Sequence, residues 1–367
     1  MLMFDCRKGM VINMEIKIGK RVISKQGKPY FIADIAANHD GDIQRAFRLI
    51  ELAKEAGADV AKFQNFKAKT IVSRNGFDSM KKMSHQANWS KSVYDVYEDA
   101  SVADEWTVRL KEKCDEVGIE YMTSPYDFEA IDLADPYVNA YKVGSGDITW
   151  LEIIEYMAKK GKPMLLATGA SNLEDVVRAY SCIQEHTSNI VLMQCNTNYT
   201  ASIENFHNIN LNVLTTYQKL FPDCILGLSD HTFGAATVLG ALALGARVFE
   251  KHFTDDNGRI GPDHKFAMNP TTFKDMVDQS NLLYQALGDG VKRVEANELD
   301  SAVVQRRSLY LVRDMKKGET LIKEDLFPLR PIKADGIPPY EITKVIGKQL
   351  LQDLKGDSYL RWEDISK

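Results

Sequence analysis

Two histidines end apolar runs in this chain, each inside its own small constellation. Cys224-Ile-Leu-Gly-Leu-Ser-Asp leads to His231, and Arg247-Val-Phe-Glu-Lys leads to His252. The stretch between them, 234–245, is small and apolar at helical spacing. Strand, helix, strand is therefore expected, which brings both imidazoles to the same end of neighbouring parallel strands. Two neutral imidazoles converging there make a divalent-metal site, with oxygen ligands or substrate completing the shell. The plain alternative is that each histidine caps its strand by hydrogen bonding.

Other strand ends look equally chemical. In chain order they deliver Asp34, then Lys62 with Gln64, Ser124, Lys142 with Gly-Ser-Gly-Asp147, Ala167-Thr-Gly, and Gln194 through Tyr199. A lysine among apolar strand neighbours is costly unless an anion neutralises it. Lys62 and Lys142 together point to a doubly anionic ligand, such as a carboxylate plus a phosphate. The competing reading is two lysines that snorkel to the barrel rim. Hydroxyls of Ser124, Ser145 and Ser229, with glycine-freed amides around Gly144 and Gly146, would complete a phosphate cradle. A metal beside such a lysine pair suits carbon–carbon bond formation. It would polarise a carbonyl electrophile, the lysines would hold an anionic nucleophile such as phosphoenolpyruvate, and Asp147 or Asp34 would handle protons or water.

The elements that position these groups alternate in type. Apolar β-rich runs lie at 30–35, 59–64, 120–124, 140–144, 163–168, 189–195, 224–229 and 247–252, with helical patterns such as 44–56, 104–117, 173–183 and 271–287 between them. Such alternation predicts an α/β fold, a (β/α)8 TIM barrel, whose chemistry sits at the C-terminal strand ends. Residues 1–14 read as an N-terminal extension, because Met14 opens a more usual start. The barrel with an N-terminal hairpin is expected over 15–288, a polar linker over 289–304, and a small β-rich domain over 305–367. The chain's net charge of -5 gives no footprint for nucleic acid. No apolar run approaches the ~20 residues that span a bilayer. The cysteines show no C-x-x-C spacing, so reduced thiols in a cytoplasmic protein are expected.

Several of these motifs, in this order, resemble the sialic acid synthase family: Ala33-Asp-Ile-Ala-Ala-Asn-His-Asp-Gly41, Lys62-Phe-Gln64, Lys142-Val-Gly-Ser-Gly-Asp147, Leu228-Ser-Asp-His-Thr232, and Glu250-Lys-His-Phe-Thr-Asp255 with Gly261-Pro-Asp263. The resemblance runs from about residue 15 to the end, and the C-terminal part looks like the family's antifreeze-like (SAF) domain. It implies a synthase that condenses phosphoenolpyruvate with an N-acetylated amino sugar, giving a nine-carbon 2-keto acid of sialic, legionaminic or pseudaminic type. It also implies that His231 and His252 hold Mn2+ or Mg2+, and that Lys62, Ser124, Lys142, Ser145 and Ser229 contact phosphoenolpyruvate. Asn88, Tyr199, Asp263 and Arg330 fall at positions resembling the sugar contacts, with Gln64 and Thr197 as further substrate-binding candidates. A domain-swapped homodimer is implied as well, in which the small domain covers the partner's site. Three departures stand out: Asp34 and Asp147 replace glutamates, Ala167 replaces a serine, and Thr197 or a neighbouring asparagine replaces the usual asparagine. Two alternatives stand beside this reading: another metal-dependent barrel aldolase or keto-acid synthase using a sugar phosphate, and a non-catalytic sugar-binding homologue.

Overall fold

The computed structural model of the chain describes residues 14–80, 89, 91–200 and 202–367. Residues 1–13 of the expected extension, together with His85 and the candidate sugar contact Asn88, lie outside the described residues. The chain divides into two compact units after Gly288.

The first unit opens with an antiparallel hairpin, β1 (Glu15–Ile18) and β2 (Arg21–Ser24). Eight strands follow: β3 (Tyr30–Asp34), β4 (Val60–Asn65), β5 (Glu120–Pro125), β6 (Tyr141–Val143), β7 (Met164–Ala167), β8 (Ile190–Cys195), β9 (Ile225–Asp230) and β10 (Val248–His252). They form one parallel sheet in the order β5-β4-β3-β10-β9-β8-β7-β6. The eighth barrel strand thus pairs with the first, and the seam falls between β5 and β6, which adjoin without a ladder among the described residues. It falls beside the shortest strand, where the chain turns at Gly144 after only three extended residues.

Helices fill the crossovers: α1 (Ile43–Glu55), α5 (Trp106–Val117), α6 (Phe128–Ala134), α7 (Leu151–Ala158), α8 (Leu173–Gln184), α9 (Val213–Leu220), α10 (Ala236–Ala243) and α11 (Pro270–Leu287). Between β4 and α5 the short α2 (Ala68–Ile71), α3 (Arg74–Asp78) and α4 (Val93–Ala100) form an insert at the site end. Capping chemistry sets the starts. Asp42 accepts from the Gln44 N–H at α1, and Asn172 forms a reciprocal capping box with Asp175 at α8. α1 then buries Ala46, Leu49, Ile50 and Ala53, the i, i+3, i+4, i+7 stripe expected of a helix laid on a sheet.

The period-two alternation of strand side chains decides what fills the barrel. Outward residues such as Phe31, Phe63, Tyr141, Leu166, Leu192 and Phe249 pack beneath the helices. Inward residues Tyr30, Ile32, Val60, Met122, Leu165, Val191, Met193, Ile225 and Val248 form a second core, which Ile16, Ile18 and Ile23 of the hairpin join. The hairpin therefore packs into the apolar lower barrel. Gly227 also lies on the inward series, where a Cβ would come within 2.8 Å of the Val248 carbonyl oxygen.

The second unit pairs β11 (Ser308–Leu311) with β12 (Leu326–Leu329) antiparallel, around a core of Leu309, Leu311, Met315, Leu321, Ile337, Val345, Leu350 and Leu360. Isolated bridges such as Thr320 with Gln349 supply most of its remaining β character. Within 289–304, read from sequence as linker, α12 (Leu299–Val304) forms and the Val303 carbonyl accepts from the Ile332 N–H at 3.1 Å. That stretch therefore groups with the small unit. Arg330 is exposed at the end of β12.

Candidate active site

Continuing each inward column past the apolar layers yields the chemistry. Tyr30 and Ile32 lead to Asp34, Val60 to Lys62 and Gln64, and Met122 to Ser124. Ala140 leads to Lys142, Ile225 through Gly227 to Ser229 and His231, and Val248 to Glu250 and His252. These side chains, with Ser145, Asp147, Cys195, Tyr199 and Asp263, line one cavity of about 370 Å³. The structure thus brings together every described site candidate of the first unit except Thr197. That residue lines a neighbouring cavity with Thr168 and Asn196, and Cys195 borders both cavities. Its methyl packs against Gly169, 2.5 Å from where a Cβ there would sit. β8 ends at Cys195, so the residues beyond it no longer follow the strand's inward alternation. Ala167 is buried and is not part of the cavity lining.

Lys62 is 2% exposed and Lys142 3%, so both are core residues rather than rim residues that snorkel. Sequence reasoning assigned their neutralisation to a ligand; the chain supplies counter-charges of its own. Asp34 lies 2.7 Å from Lys62, and Glu250 lies 3.3 Å from Lys142 and 3.8 Å from Lys62. Glu250 also accepts from the Ser229 hydroxyl at 2.9 Å. Burial opposes its charge, but the two lysines and this hydroxyl hold its carboxyl down at about 2. Burial opposes the Lys62 ammonium too, and Asp34 and Glu250 outweigh it, holding that pKa above the ordinary lysine value. For Asp34 burial wins over Lys62, and its carboxyl is raised. The Gln64 amide donates to Asp34 at 3.2 Å.

Glu250 was not singled out by sequence reasoning, although a signal was present. It stands two residues before His252, hence on the same strand face, in a run that is otherwise apolar apart from Lys251. Tyr97 and Tyr126 were missed as well. With Phe66 they make an aromatic wall of the cavity, ring centroids 5.4 Å and 5.9 Å from Phe66. Tyr97 comes from the α2–α4 insert, which carries no strand-end signature. Tyr126 leaves no room at Gly144, where a Cβ would sit 3.0 Å from its hydroxyl.

In the same cavity, the imidazole centroids of His231 and His252 lie 5.2 Å apart. Burial, reinforced by each other's company or by Lys62, holds both near a pKa of about 3, so both are neutral. The Nδ1 of His231 donates to the Asn196 carbonyl at 2.9 Å, which leaves the Nε2 lone pair available. The Nδ1 of His252 is buried without a hydrogen-bond partner among the described residues. Asp34 and Asp263 oxygens lie 3.7 Å and 3.9 Å from the His252 nitrogens. Two neutral nitrogen donors, one of them orphaned, with carboxylates nearby fit a divalent cation. No group of three or more His, Cys, Asp or Glu among the described residues is arranged to hold an ion by itself. Tyr199 and Phe266 flank the imidazoles, at 4.4 Å from His231 and 4.9 Å from His252 respectively.

Two further carboxylates are tuned by burial. It pushes Asp147 up to about 6 and Asp263 up to about 7, the latter despite the Ala37 N–H that donates to it. The Ser145 hydroxyl accepts from the Gly169 N–H at 2.9 Å, which fixes its direction at the cavity floor. Burial raises the Cys195 thiol, consistent with a small buried side chain rather than a nucleophile.

Comparison with known proteins agrees with this geometry. The NeuB family model matches residues 49–292, and the SAF domain model matches 306–366. N,N'-diacetyllegionaminic acid synthase of Legionella pneumophila is 36% identical over 345 residues, 92% of this chain and 94% of that protein. Human N-acetylneuraminate-9-phosphate synthase is 31% identical over 356 residues, 96% of this chain and 97% of that protein. The crystal structure of spore coat polysaccharide biosynthesis protein SpsE from Bacillus subtilis superposes with a TM-score of 0.62 at 27% identity, covering 96% of this chain and 99% of that one. An inward column of paired lysines and histidines on a near-barrel of eight parallel strands, followed by a SAF domain, places this chain in the NeuB family.

Proposed function

We propose that the chain condenses phosphoenolpyruvate with an N-acetylated amino sugar, giving a nine-carbon 2-keto sugar acid and phosphate. The observation that carries this is the lysine pair, Lys62 and Lys142, buried across one cavity from two neutral imidazoles. Lys62 holds the carboxylate of phosphoenolpyruvate, and Lys142 with Ser124, Ser145 and Ser229 holds its phosphate. Asp263 and Tyr199 orient the sugar beside the histidines, with Gln64 bracing Asp34. Asn88 and Arg330 belong to the same sugar set by resemblance, as does a homodimer in which the small domain of one copy covers the site of the other. A cytoplasmic location is part of the same proposal.

His231 and His252 would hold the divalent cation, manganese or magnesium, which when bound supplies polarisation of the sugar's aldehyde. The new bond forms between carbon 3 of phosphoenolpyruvate and the aldehyde carbon, whose oxygen takes up a proton. Positive charge left at carbon 2 is met by water, deprotonated by Asp147 or by the phosphate itself. The tetrahedral centre then collapses to the ketone and the carbon–oxygen bond to phosphate breaks. Asp147, at about 6, stands near enough to neutrality to accept that proton.

Two basic residues singled out near the barrel mouth already have carboxylate partners within the chain. Arg259 is held by Asp40 at 2.7 Å, and Lys67 by Glu129 and Asp104 at 3.1 Å and 3.4 Å. Phosphate release from phosphoenolpyruvate with manganese, across N-acetylmannosamine, its 6-phosphate and di-acetamido trideoxy hexoses, tests the proposal. Turnover with one acceptor supports it, and a metal-replete enzyme that binds phosphoenolpyruvate yet turns over none of them counts against it.

A further inference from the structure

The two strands that lead to the histidines also carry an ion pair on the outer face of the barrel directly behind them. Alternation puts Ser229 and His231, and Glu250 and His252, inside, so Asp230 and Lys251 face outward beneath α10. They are direct register partners on β9 and β10. Lys251 Nζ lies 2.8 Å from Asp230, and both residues are almost completely buried, at 1% and 3% exposure.

The pair does more than neutralise itself. The other carboxylate oxygen of Asp230 accepts from the Thr232 backbone N–H at 3.1 Å, and Lys251 donates to the Thr232 carbonyl. Hydroxyls of Thr232 and Thr237 complete the set on Asp230 at 3.0 Å and 2.5 Å. The residue after His231 is therefore gripped at both its backbone polar groups, one by the neighbour of His231 and the other by the neighbour of His252. The outward surface of these strands is otherwise apolar, with Leu226, Leu228 and Phe249 in the sheet–helix core. A buried ion pair is generally no more stabilising than well-packed apolar side chains of the same volume. Stability alone thus gives no reason for a charge pair in this layer, at the two strands that lead to His231 and His252.

We propose that Asp230 and Lys251 are positioning residues for the metal site, fixing the backbone after His231 and the β9–β10 register so that the two imidazoles converge. The inference rests on the reading of His231 and His252 as metal donors. Loss of such outer contacts typically costs about 10–100-fold in metal affinity.

The test compares wild type, His231→Ala, Lys251→Met and the neutral pair Asp230→Asn with Lys251→Gln. Manganese affinity is titrated calorimetrically, phosphoenolpyruvate affinity is measured in chelator without metal, and thermal melting reports the fold. The neutral pair retains donor and acceptor shapes, so it stays informative if Lys251→Met fails to fold. The expected result is a 10–100-fold loss of manganese affinity in the neutral pair, with phosphoenolpyruvate affinity within threefold of wild type. Manganese affinity within threefold of wild type in the folded neutral pair would overturn the inference, provided His231→Ala abolishes binding. If wild type and His231→Ala bind manganese alike, the metal reading itself fails and takes this inference with it.

Discussion

Replacing Glu250 by glutamine removes the one carboxylate among the described residues that lies within 4 Å of both buried lysines. In the native protein its carboxyl sits at about 2 against an ordinary 4.5. At about 1.36 kcal/mol per tenfold change in proton affinity, that depression corresponds to roughly 3 kcal/mol of stability. Breaking one partner of a buried ion pair costs about 3–5 kcal/mol in general, so the two routes agree. For a domain of this size a loss of about 3 kcal/mol lowers the melting temperature by roughly 6–10 °C. The pH dependence follows from the sign of the shift. A depressed carboxyl contributes its stability above its unfolded pKa and loses it as pH falls. The gap between wild type and Glu250→Gln is therefore full at pH 7 and closes from about 4.5 toward about 2. Phosphoenolpyruvate should return part of the lost stability, because its carboxylate and phosphate restore negative charge beside Lys62 and Lys142. Scanning calorimetry with and without phosphoenolpyruvate measures both effects. A Glu250→Gln variant that melts within 1 °C of wild type at pH 7 would refute the reasoning that this carboxylate balances the lysines.

Three further outcomes follow from the same geometry. Turnover should fall as pH drops through about 6, where Asp147 takes up its proton, and Asp147→Asn should abolish that limb of the kcat profile. Because that carboxyl is raised in the folded state, the native state loses stability as pH rises from 3.8 to about 6. Asp147→Asn should therefore melt higher than wild type at pH 7, by roughly 1–3 kcal/mol after solvent screening of a partly open group. Gly169→Ala would place a Cβ 2.5 Å from the Thr197 methyl, 2.9 Å from the Ser145 hydroxyl and 3.1 Å from the Cys195 sulfur. A rise in KM for phosphoenolpyruvate of about tenfold is expected, with the sugar KM unchanged, in steady-state kinetics. Chelation should silence turnover and lower the melting temperature, and added manganese should restore activity and raise the melting temperature with its concentration, because an ion bound to the native state stabilises it by mass action.

Much of the barrel was legible because each strand is bounded by its own polar terminus. The run 248–252 sits inside the expected 247–252, and 190–195 inside 189–195. The same runs put the lysines and histidines at the C-terminal strand ends, and period two turns them inward once the strand bounds are known. Countercharge was less visible. Glu250 and Asp34 neutralise the lysines from different strands, a relation fixed by register rather than by spacing along the chain. Tyr97 was hidden for another reason: it reaches the cavity from a helical insert, where no strand alternation applies. Thr197 lies past the end of β8 at Cys195, where alternation no longer says which way a side chain faces. The short α12 within 289–304 escaped because a six-residue helix gives too little periodicity to read.

In the proposed reaction carbon 3 of phosphoenolpyruvate forms the new bond while water enters at carbon 2 and phosphate departs by carbon–oxygen cleavage. Phosphoenolpyruvate labelled with oxygen-18 at the atom bridging carbon 2 and phosphorus tests this directly, with both products weighed by mass spectrometry. The account predicts that the label leaves with inorganic phosphate and that the keto acid carries solvent oxygen at carbon 2. Label retained in the keto acid before exchange would mean phosphorus–oxygen cleavage, and would contradict water entry at carbon 2 followed by loss of phosphate with its bridging oxygen.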